Sequence, residues 1–546
     1  MVLVASHEPV RFPRYYIPGQ YYSLAIEGMR YLESQPPQPA KHSAPKMAIY
    51  TSNVALFSVF LFVLYISKLT YTAIVRALTA RNLRCENPPS PPQRDWLFGL
   101  DFVYQQFVNI QKDRRNASAR ELHEEFGYTF QSKFYGARKI HSVEPQNIQA
   151  VMSTDFKNWG VQPLRLFAFK PLIGQGIMGS DGHSWERSRA LLKPAFARKE
   201  ISDLPAFEVH VQHLLNLIPR DGSTVDLRPL FTRLALDAAT EMLFGESLNM
   251  LGKPTPENEG WLRAMNYGQM TLGKRLQLPQ WNIFSRDPKF WNSCKVVQNF
   301  VNQKIDAVMK NPEKHSGDGI KTHYVLAHEL LKETKDRELI GNELLNVFLP
   351  AHEATGVALT NIFFNVARHP HVWEKLRTET LALPPNQEIT FESLKSMKYL
   401  QAVITESLRL NPSIGTTSRI ALHDTTLPVG GGVDGESPIF IRKGDIFSIS
   451  FYTLQRRKDI FGADAEEFRP ERWGSERPAP WAYLPFSGGP RICIGQQMAI
   501  TQAAYTIVRF LQTFKGLENR DPVWEFHEMY TLSTQSKNGA KVAFTE

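Results

Sequence analysis

The sequence predicts a mainly helical protein with a small β-rich part and one membrane-spanning helix near its N-terminal end. Three stretches carry that prediction. Glu338–Arg368 is one long apolar-rich helical pattern, closed by His369-Pro370. Ile420–Ser450 is rich in glycine and β-branched residues and reads as a small sheet, with Gly430-Gly431-Gly432 as its turn. No charged residue lies between Lys46 and Lys68, and Val54–Ile66 within that interval is strongly apolar. About 20 residues suffice to cross a bilayer as a helix, so residues 47–67 are long enough; a buried globular helix is the competing reading.

The chain has 546 residues, 42% of them hydrophobic, enough for a large core. Its three cysteines, Cys85, Cys294 and Cys493, show no paired spacing, so no disulfide framework is expected and a reducing, cytosol-facing catalytic domain fits. The net charge is +9. No nucleic-acid motif accompanies it, which argues against nucleic acid and for a solvated basic face or an acidic partner.

Taken in order, residues 1–46 form an N-terminal extension of unknown role. It is broken by Pro36, Pro37 and Pro39, and it lacks the basic-then-apolar order of a signal peptide. Residues 47–67 are the transmembrane anchor. Residues 68–94 are a basic and proline-rich linker. Its Lys68, Arg76, Arg81 and Arg84 slightly outnumber Arg30, Lys41 and Lys46 on the other side, which favours a cytosolic C-terminal side. Asn87-Pro88-Pro89-Ser90-Pro91-Pro92 is a stiff extended spacer. Residues 95–546 are expected to form the main folded domain. Within it, Phe134–Val143 reads as a strand pair, Asp181–Ala197 as a loop entering a helix and Thr224–Gly245 as a helix. Residues 250–290, with four prolines, read as loop-rich, and Phe391–Leu410 as a second long helix ended by Asn411-Pro412.

The most informative stretch is Phe486-Ser487-Gly488-Gly489-Pro490-Arg491-Ile492-Cys493-Ile494-Gly495. Two glycines and a proline permit a tight turn and close backbone approach to something flat. Gly495 opens an amphipathic pattern, with Met498, Tyr505, Val508 and Leu511 at helical spacing. A cysteine just before a helix is expected to be held as thiolate by backbone N–H groups and the dipole, and so to act as nucleophile or metal ligand. The spacing F-x-x-G-x-R-x-C-x-G resembles the haem-binding loop of the cytochrome P-450 superfamily. That resemblance implies a large helical domain and a small β-rich domain enclosing haem b, with the Cys493 thiolate as axial iron ligand and Phe486, Arg491 and Gly495 shaping the loop.

Three further patterns agree with it. Glu406 and Arg409 share a helix face at i, i+3; alone they would be a surface pair worth about 0.2–0.5 kcal/mol. Phe468-Arg469-Pro470-Glu471-Arg472-Trp473 follows, and in the family such an arginine locks with the E-x-x-R pair. Glu406, Arg409 and Arg472 are therefore expected to form a buried structural network. Trp185 and Arg189, four apart, match a family W-x-x-x-R whose side chains reach a haem propionate, and Arg419 stands where many members place another propionate-binding arginine. Pro350-Ala351-His352-Glu353-Ala354-Thr355 matches the family's helix over the iron, where an acid and a hydroxyl deliver protons for oxygen activation. Glu353 matches the acid. Ala354 stands in place of the usual threonine, and Thr355 is one residue further on. Pro350 is expected to distort the helix, which makes Glu353 with Thr355, with a water or with a hydroxyl of the substrate the expected relay.

Gly174-Gln175-Gly176-Ile177-Met178-Gly179 is literally G-x-G-x-x-G, but more loop follows it where a dinucleotide site needs a helix. The resemblance spans roughly residues 88–546. It is closest to the fungal branch that oxidises n-alkanes and fatty acids, on the stretches Asp155–Lys199, Thr425–Gly444 and Asp464–Trp473. It implies a monooxygenase that inserts one oxygen atom into a C–H bond of a small hydrophobic substrate, a fatty acid, alkane or lipid-like secondary metabolite. NADPH electrons would arrive through a separate NADPH–cytochrome P-450 reductase, with cytochrome b5 as a further donor. The implied location is the endoplasmic reticulum membrane, single-pass, with the catalytic domain in the cytosol. The sequon Asn116-Ala117-Ser118 would then stay bare. A haem-thiolate isomerase or dehydratase, motivated by Ala354, and a non-catalytic membrane haem-binding protein are the rival readings.

Overall fold

A computed structural model of the chain describes residues 44–197, 203–277, 286–310, 325–384, 388–475 and 477–546. Most of the 1–46 extension lies outside them, as does Pro279. The chain divides between Leu78 and Thr79 into two units. The first is represented by a helix that starts at Ala44 and runs on to Asn82. Within its stretch Leu56–Asn82 an 18-residue window has a mean hydropathy of 1.7 and none of it is buried, so the helix is long and apolar enough to cross a membrane. The expected linker therefore begins later than residue 68. Between Ser67 and Asn87 there is no glycine or proline to stop a helix, and the backbone leaves it only on the approach to Pro88.

The second unit is mainly helical. Its centre is the helix Arg337–Ala367, N-capped by Asp336, which accepts from the Leu339 N–H at 3.1 Å. This central helix serves two separate cores. Leu344, Leu345, Val347, Phe348 and Leu349 pack with Trp261, Phe300 and neighbouring side chains. Leu359, Ile362, Phe363 and Val366 pack with Phe231, Phe510 and their neighbours. The stretch between them, from Pro350 to Thr355, gives only Ala351 to either core.

Residues 250–290 are more helical than expected. Helices cover Pro256–Gln277 and Pro288–Lys310. Two of the prolines that suggested loop are first-turn residues, where a missing N–H costs nothing. The predicted helix Phe391–Leu410 is two, Phe391–Ser396 and Lys398–Leu410, separated by an extended Met397 whose side chain is buried in the core. The predicted strand pair begins earlier: Thr129–Phe134 pairs antiparallel with Ala137–Ser142 around Tyr135-Gly136.

These two strands edge a five-stranded sheet. Ala137–Ser142 lies parallel to Ile446–Ser450, which is antiparallel to Thr416–Ala421, which in turn meets Trp159–Gly160. Thr425–Gly431 and Ser437–Ile441 form a separate hairpin, so the chain reverses after the glycine triplet. A C-terminal hairpin, Glu528–Tyr530 with Thr534–Ser536, is sewn onto the central helix. The Asn361 amide donates to Thr534 O at 3.3 Å and accepts from Ser536 N at 3.3 Å.

Candidate active site

The cysteine loop is closed by its own backbone. Cys493 N donates to Phe486 O and Ile492 N to Gly489 O, both at 3.0 Å. Gly489 has φ +68°, and a Cβ there would lie 1.8 Å from Met152 O, so the loop is laid directly on the 150–154 turn. Gly495 then caps the helix Gln496–Thr513. The Cys493 side chain is solvent-accessible. Burial among protein atoms nevertheless pushes its thiol up, against the Gly495 N–H and Arg189, which pull it down. On the free thiol, desolvation outweighs one N–H and one guanidinium. Behind the loop runs a groove of about 340 Å³ lined by Thr405, Leu408, Tyr483, Phe486, Gly488 and Gln496 among others, but not by Cys493.

Beside the loop, guanidinium groups gather in excess of carboxylates. Arg491 donates to Ser180 O at 2.6 Å and Asp181 Oδ1 at 2.7 Å, while its Nε is buried without a partner among the described residues. Its guanidinium stands 4.5 Å from the Trp185 ring centre. Arg419 is 5% exposed and, among the described residues, bonds only Thr417 and Ser418. Arg165, which the sequence did not single out, donates to Met178 O and Thr417 Oγ1. Burial, then neighbouring Arg165 and Arg491, brings Arg419 down to about 9. Burial likewise brings Arg491 down to about 10 against the pull of Asp181. Asp181 also accepts from the Val161 and Gln162 N–H groups, so it has little capacity left. Arg189 reaches the loop, donating to Ile492 O at 3.2 Å. Trp185 is buried, and its Nε1 donates to nothing among the described residues. A set of buried cations with one spent carboxylate fits a dianionic group such as the two propionates of haem.

Under the loop, the structure brings Glu406, Arg409 and Arg472 together. Arg409 grips Glu406 bidentately at 2.8 Å and 2.8 Å, and both are fully buried. Its remaining N–H groups take the carbonyls of Gln455, Ala465 and Glu467. Arg472 lies 3.5 Å from Glu406 and 3.0 Å from Asp464. Arg469 N and Trp473 Nε1 complete the shell of Glu406 at 3.0 Å each.

On the central helix, Pro350 is exposed and Ala351, Glu353 and Ala354 are half-buried, within a helix buried on both sides of them. The helix runs unbroken through Pro350. Thr355 is 7% exposed. It is turned about 100° from Ala354, so the structure does not bring it to the open stripe that Ala354 occupies; the distortion expected from Pro350 does not interrupt the helix. Glu353 is held from a distant part of the chain: Thr531 Oγ1 and Ser533 Oγ both donate to its Oε1 at 2.6 Å.

The G-x-G-x-x-G stretch is a packing device. Cβ atoms at Gly174 and Gly176 would lie 1.7 Å and 2.6 Å from Asn342 and Asn346 of the central helix. Met178 N donates to Asn346 Oδ1 and Ile177 N to Glu343 Oε2.

A family model described as cytochrome P-450 matches residues 88–542. The chain belongs to the cytochrome P-450 family. This family binds haem through a cysteine thiolate and receives NADPH electrons by way of a reductase. Among similar P-450s, the monooxygenase himC of Aspergillus japonicus is 38% identical over 86% of this chain and 87% of its own. Cytochrome P-450 52A13 of Debaryomyces hansenii is 37% identical over 80% and 87%, and cytochrome P-450 52A3-B of Candida maltosa 38% over 84% and 92%. As a P-450 monooxygenase the chain is an oxidoreductase.

Proposed function

We propose that Cys493 is the axial thiolate ligand of haem b and that the chain oxidises a long, apolar substrate at the space over it. The observation that carries this reading is the accessible Cys493 sulfur beside a buried guanidinium cluster that holds a single, already occupied carboxylate. Arg419, Arg491 and Trp185, with Arg165, would hold the two propionates. Arg189 fixes the loop through Ile492 O, and Phe486 and Gly495 set its two ends. Haem, when bound, supplies the oxygen chemistry, and a thiolate ligand favours cleavage of the O–O bond. The residues of this chain orient the substrate, exclude water and pass protons. Glu353 is the proton donor in this reading. Thr355, buried on the next face, braces the helix instead of sharing the relay assigned to it from sequence. The network of Glu406, Arg409 and Arg472 keeps the loop in place.

A fatty acid, an alkane or a lipid-like secondary metabolite is the proposed substrate class, supported by the resemblance to the fungal branch and by the apolar lining expected of a P-450. Electrons are proposed to come from an NADPH–cytochrome P-450 reductase, with cytochrome b5 as a further donor. The proposed location is the endoplasmic reticulum membrane, with residues 44–82 as anchor and the catalytic unit in the cytosol. Asn116 does not report on this orientation. It is 1% exposed and bonded to Thr534 and Glu528, so it stays bare on either side of the membrane. Protease protection of an N-terminal tag in sealed microsomes is the appropriate test.

The central claim is tested by Cys493→Ser. The wild-type reduced protein with carbon monoxide should give the red-shifted Soret band of thiolate-ligated haem, and the variant should lose it. A variant that keeps the band overturns the assignment. Spectral shifts on titrating the holoprotein with fatty acids, alkanes and polyketide-like lipids then identify the substrate class.

A further inference from the structure

We infer that Thr531 and Ser533, at the tip of the C-terminal hairpin, supply the hydroxyl groups that the central helix lacks at Ala354, acting as positioning residues for Glu353. This rests on the proton-donor role proposed for Glu353. Both hydroxyls donate to the same carboxylate oxygen, Oε1, at 2.6 Å, while Oε2 accepts no hydrogen bond among the described residues. The carboxylate is thus fixed through one oxygen and free at the other, on the side of the helix that belongs to neither core. Ser533 is 1% exposed, and its hydroxyl is given to Glu353. A buried hydroxyl is retained at a desolvation cost only where it has a partner.

The tip is held from several sides. Thr534 N donates to Ser413 O at 2.8 Å, and the Ser413 hydroxyl donates to the carbonyl of Ala354 at 3.4 Å, which ties hairpin, turn and helix together at the position of interest. From the opposite direction the helix Pro256–Gln277 approaches so closely that a Cβ at Gly273 would lie 3.2 Å from Thr531 O. The hydroxyl usually carried by the helix is here carried by the hairpin, on the far side of the acid.

The test uses full-length holoprotein with a fungal NADPH–cytochrome P-450 reductase and no added substrate. Two quantities are read. One is the C–O stretching band of the reduced protein with carbon monoxide, which senses polar groups near the bound gas. The other is the NADPH consumed per dioxygen. It is one where hydrogen peroxide forms (NADPH, a proton and dioxygen give NADP⁺ and peroxide) and two where water forms (two NADPH, two protons and dioxygen give two NADP⁺ and two waters). The double variant Thr531→Val with Ser533→Ala should shift the band and move the ratio towards one. The conservative pair Thr531→Ser with Ser533→Thr should resemble wild type, and adding Ala354→Thr to the double variant should restore both readouts. If the double variant does not take up haem, the two single variants are read instead, each expected between the extremes. Wild-type values in the variants lacking hydroxyls, while Glu353→Gln alters both, would leave Thr531 and Ser533 as mere packing and overturn the inference. If Glu353→Gln itself changes nothing, the proposed role of Glu353 falls, and the inference with it.

Discussion

Two carboxylates frame the site, and their surroundings differ sharply. Glu406, under the cysteine loop, takes five hydrogen bonds, from Arg409 twice, Arg469 N, Arg472 and Trp473, and is wholly buried. Glu353, on the central helix, takes two, both on one oxygen, and is half-buried. Glu406 has no capacity left for a proton or a ligand, and its charge is spent in holding strands of chain together. Among the described residues nothing donates to the other oxygen of Glu353, which lies beside half-buried Ala354. A fully satisfied buried acid is suited to support, and a partly satisfied one keeps the capacity that the proposed role of Glu353 needs.

The sharpest way to break this contrast is in the support. Removing Glu406, Arg409 or Arg472 as alanine strands buried charge, and each loss should cost about 3–5 kcal/mol. The expected result is little haem-loaded protein on purification. Normal haem content in all three variants would show that the network is dispensable. Next comes the acid itself. Glu353→Gln should leave the haem spectrum intact and substrate affinity nearly unchanged while lowering kcat on the order of 10²-fold, about 2.7 kcal/mol. An effect on KM alone would make Glu353 a binding residue. A smaller loss is expected at Gly489→Ala, where φ +68° and Met152 O both oppose a side chain. It should cost about 1–3 kcal/mol of stability, read as a lower urea midpoint for haem release. The smallest effect is expected at Thr355→Val. Turnover should stay within about threefold of wild type, less than ~1 kcal/mol. A tenfold loss of product per NADPH would return the relay to Thr355 and erase the distinction drawn between the two faces of the helix.

What could be read from sequence was local. The cysteine loop, the pair Glu406/Arg409 and the long central helix announce themselves within ten to thirty consecutive residues, because their geometry follows from spacing along one backbone segment. Proline misled at Pro256 and Pro288, since the residue that ends one helix is also suited to begin the next. The anchor helix was drawn too short because charge was taken as its limit, although Lys68 and Arg76 do not stop a helix. Arg165 gave no signal: an arginine in an apolar helical stretch is unremarkable until the strand carrying Thr417 lies against it. Thr531 and Ser533 lie 178 and 180 residues from Glu353, and no pattern in either segment points to the other. The burial that pushes the Cys493 thiol up gave no signal for a related reason: desolvation is a property of everything packed around the sulfur and not of the helix that follows it.

The division of the central helix between two cores has a consequence for how such an enzyme diverges. Substitutions at Leu344, Phe348, Leu359 or Phe363 must satisfy many packed neighbours at once, so few survive. Between Pro350 and Ala354 that constraint is lighter: His352 is buried and stacked on Phe348, but Pro350 is exposed and Ala351, Glu353 and Ala354 are half-buried. The fold therefore contains a short window in which catalytic behaviour can drift while the architecture stands still.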